Sequence, residues 1–483
     1  MTTHLKGFGL ENFRVFKDYT WFDFAPITIL TGPNNSGKSS LNRGLKLMCD
    51  PLKANSSELQ LGGIDRVTNK NAEKKNAEFN ILPPYWLDNY PTIGTKTAVR
   101  LEISRTILST HSQVTGDTTY RIFLEDKLIL ESTMIGWSFY FDFETFYARI
   151  KPLEKEVYDQ VVTLAQQSEK EEDMLNFYSK NIDVKKGEPK QEQKSDIFPQ
   201  RDDYSEPEKK GIVDLGTILE SFGLTPYQCE YIDKRIIGDI EKVAKDIFTR
   251  IKYLPFRGKV TRNYGLNENN EWVGLIKGYQ SILEAVKVIG EDEEVLNNIG
   301  YGYFFFIKKW LQKFNVSEEI KPFIDTQFGF QSLEVNGRPL IEQGTGIAQI
   351  VYILLSIALN PGQDKTFLIE EPEANLHPKF QSLLADMFID AAKMLDIQFV
   401  IETHSEYLIR KMQYLTAKKE VDPTDTVIYY FHDPNNVPSG EPQVKKIEIL
   451  EDGSLSSDFG TGFFDEATNW KFELMRMKNA QKN

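Results

Sequence analysis

An α/β fold on a mixed sheet, split by a long insertion, is what the 483-residue sequence predicts, and three observations predict it. The short apolar run at residues 26–30 enters a glycine-rich stretch and then changes to helical spacing, the pattern of strand, loop and helix. The last third alternates strand-length apolar runs with helical periods, as parallel strands joined by crossover helices do. Between these two regions, residues 95–250 have a different character, so one nucleotide-type fold interrupted by an insertion explains the chain better than two unrelated domains.

The elements follow in order. Leu5, Phe8 and Leu10 alternate as a strand, as do residues 21–24, and residues 26–30 form a buried strand. Leu41, Leu45 and Met48 share one face of a helix that starts near Ser39. Val99, Leu101 and Ile103, then Tyr120, Ile122 and Leu124, alternate, and residues 139–143 continue the strand signal, so a second, antiparallel sheet is expected. Residues 168–211 carry dense charge of both signs, broken by Gly187, Pro189, Pro199 and Pro207, and read as a mobile linker or the tip of the insertion. Helical patterns resume over residues 215–251 and 272–320. Helices are then expected at 347–359, 379–395 and 406–415, and strands at 365–369, 397–401 and 426–431. The resulting division is an N-terminal lobe at 1–94, the insertion at 95–250 and a C-terminal lobe at 251–483.

Composition bounds the function only loosely. Hydrophobic residues make 40% and charged residues 27%, as in soluble globular chains. No run approaches the ~20 apolar residues of a membrane span, and the first residues lack the apolar core of a signal peptide. Cys49 and Cys229 make neither a disulfide framework nor a zinc spacing, so the cytoplasm is the expected compartment. A net charge of −14 argues against a uniformly basic nucleic-acid binder. A local basic groove from Arg257, Lys259, Arg262 and Lys308-Lys309 remains open, although a solvated face is the commoner meaning of such residues.

Four motifs carry chemistry. Gly32-Pro33-Asn34-Asn35-Ser36-Gly37-Lys38-Ser39 fits the phosphate-loop pattern at every fixed position, with Ser40 next in line. Such a match arises by chance in about two chains in a hundred of this length, and the flanking strand and helix lower that further. Glycines let backbone N–H groups face phosphates, and the helix N-terminus adds its dipole. Lys38 is placed to meet the terminal phosphates and Ser39 to meet magnesium. Phe367-Leu368-Ile369-Glu370-Glu371-Pro372 is an apolar strand ending in two carboxylates that point to opposite faces. Glu370 is therefore assigned to the magnesium shell and Glu371 to the attacking water. His404, after the strand at 397–401, is placed to reach a terminal phosphate, against the blander reading of a surface or capping residue. Gly344-Thr345-Gly346 opens a helix and is a weak second anion-site candidate.

This order of motifs resembles the ABC-type ATPases related to RecF, SMC and the OLD proteins, and is most similar to the bacterial AAA15-like group. The resemblance covers about residues 1–70 and 250–466 and includes Glu371-Pro372-Glu373-Ala374-Asn375-Leu376-His377-Pro378, which looks like a Walker B and D-loop run. Tyr253-Leu254-Pro255-Phe256-Arg257 and the ending Gly460-Thr461-Gly462-Phe463-Phe464-Asp465-Glu466 resemble one subgroup. The resemblance implies an ABC-type head binding ATP and Mg2+, with Glu371, His404 and Lys38 catalytic. It makes Gly344-Thr345-Gly346 the signature motif, which would close over ATP held by a second copy in a homodimer or higher homo-oligomer. The motif departs from the usual Ser-Gly-Gly, and a Q-loop at Gln60 is only a guess.

The resemblance also implies a nucleotide-switched sensor or scaffold for a separate protein effector, as in bacterial anti-phage systems such as PARIS or Septu. A RecF- or SMC-like DNA-maintenance ATPase is the alternative. A self-contained nuclease is not expected, because no Asp-x-Asp of a TOPRIM domain follows His404 and Asp142-Phe143-Glu144 reads as an ordinary strand.

Overall fold

The computed structural model describes residues 1–49, 68–72, 76–82, 99–110, 113–124, 127–133, 139–141, 249–254, 271–298, 303–317, 320–325, 330–360, 365–460 and 466–480. The chain divides into two units. One comprises residues 1–84, 105–116 and 246–483, and the other residues 85–104 and 117–245.

In the first unit, β1 (Gly7–Glu11) and β2 (Thr20–Asp23) pair antiparallel, and β4 (Asn76–Leu82) flanks β1 on its other edge. Phe79 and Ile81 of β4 are fully buried and alternate with half-buried neighbours, the period-2 signature of a strand with one covered face, whereas β1 is buried at every residue from Gly7 to Leu10. Strand β3 (Ile27–Thr31) is buried along its whole length and leads to helix α1 (Lys38–Cys49), whose Leu41, Leu45 and Met48 all reach the core.

Strand β3 belongs to a six-stranded mixed sheet with β9 (Ile251–Leu254), β13 (Lys365–Glu370), β14 (Ile397–Glu402), β15 (Thr426–Phe431) and β16 (Val444–Glu448). The order is β16-β15-β3-β14-β13-β9. All pairings are parallel except β15 with β16. Parallel strands need helical crossovers, supplied by α5 (Thr345–Ala358), α6 (Pro378–Met394) and α7 (Glu406–Ala417). Local chemistry starts two of these helices. The His377 ring accepts from the Lys379 N–H with Pro378 at the first helical position, and the Ser405 hydroxyl accepts from the Leu408 N–H at 3.2 Å.

Helices α2 (Glu271–Ile289), α3 (Glu293–Asn298) and α4 (Tyr303–Lys313) precede these crossovers, followed by a small antiparallel sheet of β10 (Ile320–Asp325), β11 (Phe330–Val335) and β12 (Arg338–Pro339). The helical pattern expected to run to residue 320 is corrected here. Gly290 and Asn315 take positive φ (95° and 52°) after α2 and α4, and Ile320 opens a strand opposite Val335. Ile251 likewise begins β9, opposite Thr366, instead of ending a helix. Residues 168–211 and 215–248 lie outside the described residues. Strands β5 (Val99–Thr110), β6 (Gln113–Leu124), β7 (Lys127–Thr133) and β8 (Phe139–Phe141) match the strand signals of the insertion. Within the second unit Thr119 pairs with Thr133 and Leu130 with Phe141, both antiparallel. Helix α8 (Glu466–Ala480) lies toward the C-terminus. No helix among the described residues is long and apolar enough to cross a membrane.

Aromatic packing fixes the sheet against its helices. Phe399 in β14 lies 5.0 Å from Phe388 of α6 and 6.0 Å from Phe367 of β13, ring centre to ring centre. The buried Gln398 amide is fully used: it accepts from the Leu5 N–H and the Thr366 hydroxyl and donates to the Leu5 and Ala25 carbonyls. It thereby ties the N-terminal segment to the sheet. Replacing fully buried Phe399 by alanine is expected to lower the unfolding free energy by about 3–5 kcal/mol, read by urea denaturation. A loss below about 1 kcal/mol would show that the central sheet is packed differently.

Candidate functional site

Parallel register delivers three strand ends to one edge. Glu370 stands opposite Glu402, and Glu402 stands opposite Leu30, so the loops after β13, β14 and β3 emerge side by side at carboxyl ends. The Thr31 hydroxyl donates to the Thr403 carbonyl at 2.9 Å, and the Thr403 N–H donates to the Leu30 carbonyl at 2.9 Å.

The loop after β3 has the conformation its glycines allow. Gly32 and Gly37 take φ of 139° and 111°, and a Cβ would run into the Phe431 carbonyl at the first and the Val15 side chain at the second. Lys38 is 3% exposed and donates to the Gly32 and Pro33 carbonyls at 3.0 and 2.8 Å. Burial lowers its pKa, opposed by Glu402, Glu371 and Glu373. The Ser36 hydroxyl is buried beneath the loop with no partner among the described residues.

Two carboxylates follow β13 as the sequence suggests, but their surroundings differ. Glu370 accepts from the buried Tyr253 hydroxyl at 2.7 Å and does not line the cleft. Glu371 does line it, with φ of 43°, a left-handed conformation that a side chain adopts only when its surroundings hold it there. Its N–H donates to the Glu402 carbonyl at 2.7 Å, and the Gln349 amide of α5 donates to the Glu371 and Pro372 carbonyls at 3.2 and 3.0 Å.

The loop after β14 adds His404 and Glu402. Burial, then the Lys38 charge, lowers the His404 pKa to about 4, so the imidazole is neutral near pH 7. The His404 backbone N–H donates to Glu373 at 2.6 Å, and Glu373 is itself 6% exposed, with its pKa raised by burial. Ser405, not His404, caps the following helix. Glu402 is 3% exposed and accepts from the Ser39 hydroxyl at 2.8 Å. Burial, then the neighbouring Glu370, pushes its pKa up to about 7.

Asn34, Asn35, Gly37, Lys38, Ser39, Ser40, Glu371 and His404 thus meet around one cleft of about 380 Å³, a size ordinary for a small-molecule site. Gly344, Thr345 and Gly346 do not join it. They start α5, with Gly346 so close to the Asn375 carbonyl that a Cβ would lie 2.7 Å from it. Sequence reasoning missed Arg14, Arg43 and Glu402 in the cleft wall, and Glu373 and Gln349 behind it. The one legible signal was that parallel strands ending in Glu370 and Glu402 would put the carboxylates side by side. Arg14 and Arg43 are close enough that burial and Arg43 together hold the Arg14 guanidinium below its usual pKa. Lys308 and Lys309, candidates for a basic groove, each meet a carboxylate at 2.6 Å, Glu291 and Asp390. Arg257, Lys259, Arg262 and Gln60 lie outside the described residues.

The donor set fits a nucleotide polyphosphate with a hard divalent cation. Loop amides at a helix start, Lys38, Arg14 and Arg43 suit the anion. The Ser39 hydroxyl and the Glu402 oxygen that no described group meets suit the cation. Among the described residues no group of three or more His, Cys, Asp or Glu side chains that could hold a metal ion occurs.

The sequence model of the AAA ATPase domain family (AAA_15) matches residues 4–409, and that of a protein family of unknown function (DUF3696) matches residues 421–474. No curated protein matches the chain. Solved structures similar to it include an SMC head bound to the C-winged helix domain of ScpA (TM-score 0.48, 11% identity, covering 93% of this chain and 99% of that one). Another is an SMC head domain with an extended coiled coil bound to the C-terminal domain of ScpA, derived from Pyrococcus furiosus (0.41, 14%, 92% and 96%). A third is the SMC head domain from Thermotoga maritima (0.35, 12%, 93% and 100%).

Without nucleotide, His404 is expected to titrate near pH 4, seen by NMR of the imidazole with a His404→Gln protein for assignment. The sign follows from the lowered pKa: protonation works against the folded site as pH falls from about 6.5 towards 4. Titration at the ordinary value would contradict the buried placement of the ring.

Proposed function

The chain belongs to the AAA ATPase domain family, and on that premise we propose that it binds ATP with magnesium over residues 32–40 and hydrolyses it at Glu371. The convergence of Lys38, Ser39, Glu371 and His404 on one cleft at the ends of parallel strands supports this best. Loop amides and Lys38 bind the phosphates, turning away from the Gly32 and Pro33 carbonyls as they do so. Ser39 and Glu370 would hold the metal side of the site. Magnesium, when bound, neutralises charge developing on the transferred phosphoryl group. Glu371 orients the attacking water and takes its proton, its backbone pinned by Gln349 and the Glu402 carbonyl. Neutral His404 offers one hydrogen bond to the terminal phosphate.

Gly344, Thr345 and Gly346 open a helix outside their own cleft, which supports the reading that they complete the site of a second copy. The chain then works as an ABC-type head that associates with ATP and separates on hydrolysis. We assign it to the cytoplasm as a nucleotide-switched sensor or scaffold for a separate protein effector, in anti-phage defence. A DNA-maintenance role is the competing reading, and the pairing of Lys308 and Lys309 with carboxylates weakens the basic surface it needs.

The Glu371→Gln protein, purified from its native cell with ATP and magnesium after nuclease treatment, tests both levels. Turnover is expected to fall at least about 100-fold, with nucleotide retained, elution as a dimer and a stoichiometric protein partner. A Lys38→Ala control is expected to lose nucleotide as well. Wild-type turnover in either variant would sink the catalytic reading, a monomer would sink the sandwich, and nucleic acid without a protein partner would favour DNA maintenance.

A further inference from the structure

We propose that Glu402 holds the divalent cation of the nucleotide, directly or through one coordinated water, an assignment that rests on the ATP reading above. Four observations carry it. The Glu402 Oε1 atom accepts the hydroxyl of Ser39 at 2.8 Å, so this carboxylate already touches the group that a phosphate loop turns toward the metal. Its Oε2 atom is buried and meets no hydrogen-bond partner among the described residues, although the side chain is only 3% exposed and lines the cleft. A buried carboxylate oxygen left without a partner is costly, and a hard cation with its waters is the kind of group that satisfies it.

Position supplies the third observation. Glu402 ends the middle strand of the three that frame the site, opposite Leu30 ahead of the phosphate loop and opposite Glu370 on the other side. The fourth is the setting of Glu370, which is not among the residues lining the cleft and accepts from the Tyr253 hydroxyl at 2.7 Å. The strand-end carboxylate that touches Ser39 and lines the cleft is therefore the one that β14 supplies. If Glu402 only tied α1 to the sheet, a neutral amide that accepts from Ser39 equally well would serve.

That contrast is the test. Glu402→Gln keeps the volume and an acceptor for Ser39 but removes the charge. A non-hydrolysable ATP analogue is titrated into wild type and variant, once in EDTA and once in excess magnesium. Wild type is expected to bind more tightly with magnesium. Glu402→Gln is expected to lose at least tenfold of that gain, while its metal-free affinity is unchanged or tighter. An unchanged magnesium gain in Glu402→Gln, or equal weakening in both conditions, would overturn the proposal. Should Glu402→Gln not fold, Glu402→Asp is expected to lose an intermediate share of the gain, and a full gain there would overturn it. Failure of wild type to bind the analogue under either condition would instead remove the ATPase reading itself.

Discussion

Three parallel strands held in register, β3, β14 and β13, end on a common edge, and the phosphate loop, Glu371, Glu402 and His404 hang from that edge. The register is set by burial. Every residue of β3 and β14 is buried, so a slip of one residue would force both covered faces to repack and would part Glu402 from Ser39. The aromatic contacts of Phe399 and the saturated amide of Gln398 hold the same strand from either face. Chemistry at the loops is therefore as precise as the packing below them.

Above that edge the chain between β13 and α6 is held from three sides. Gln349 of α5 binds the Glu371 and Pro372 carbonyls, the Glu402 carbonyl takes the Glu371 N–H, and Glu373 takes the His404 N–H. These contacts maintain the left-handed backbone at Glu371, which would otherwise relax. They also join the helix capped by Gly344, Glu371 and the histidine loop into one mechanical unit. A displacement at the start of α5 would be felt at Glu371 through Gln349 and through the close approach of Gly346 to Asn375.

Much of this was legible in the sequence, for a specific reason. The phosphate loop is a backbone device, and backbone devices leave fixed glycine spacings that survive without any knowledge of the fold. Gly32 and Gly37 are required by their φ values and by the atoms packed against them. The strands around 27, 365, 397 and 426 were legible because buried parallel strands read as unbroken apolar runs. Residues 251 and 320 were misread as helical because short apolar segments do not distinguish helix from strand, and pairing with Thr366 and Val335 decides them. Glu402 and Glu373 lie within motif runs whose spacing assigned them no role, and Arg14 lies in none. Their significance comes from burial and from neighbours distant in the chain, such as Ser39 for Glu402 and Arg43 for Arg14.

The most direct measurement is an experimentally determined structure of the Glu371→Gln protein with ATP and magnesium. The account predicts the triphosphate in the loop at residues 32–40, with Lys38 released from the Gly32 and Pro33 carbonyls, and the metal beside Ser39. A nucleotide bound elsewhere, or a loop in which Lys38 keeps both carbonyl bonds in the presence of saturating ATP, would contradict it.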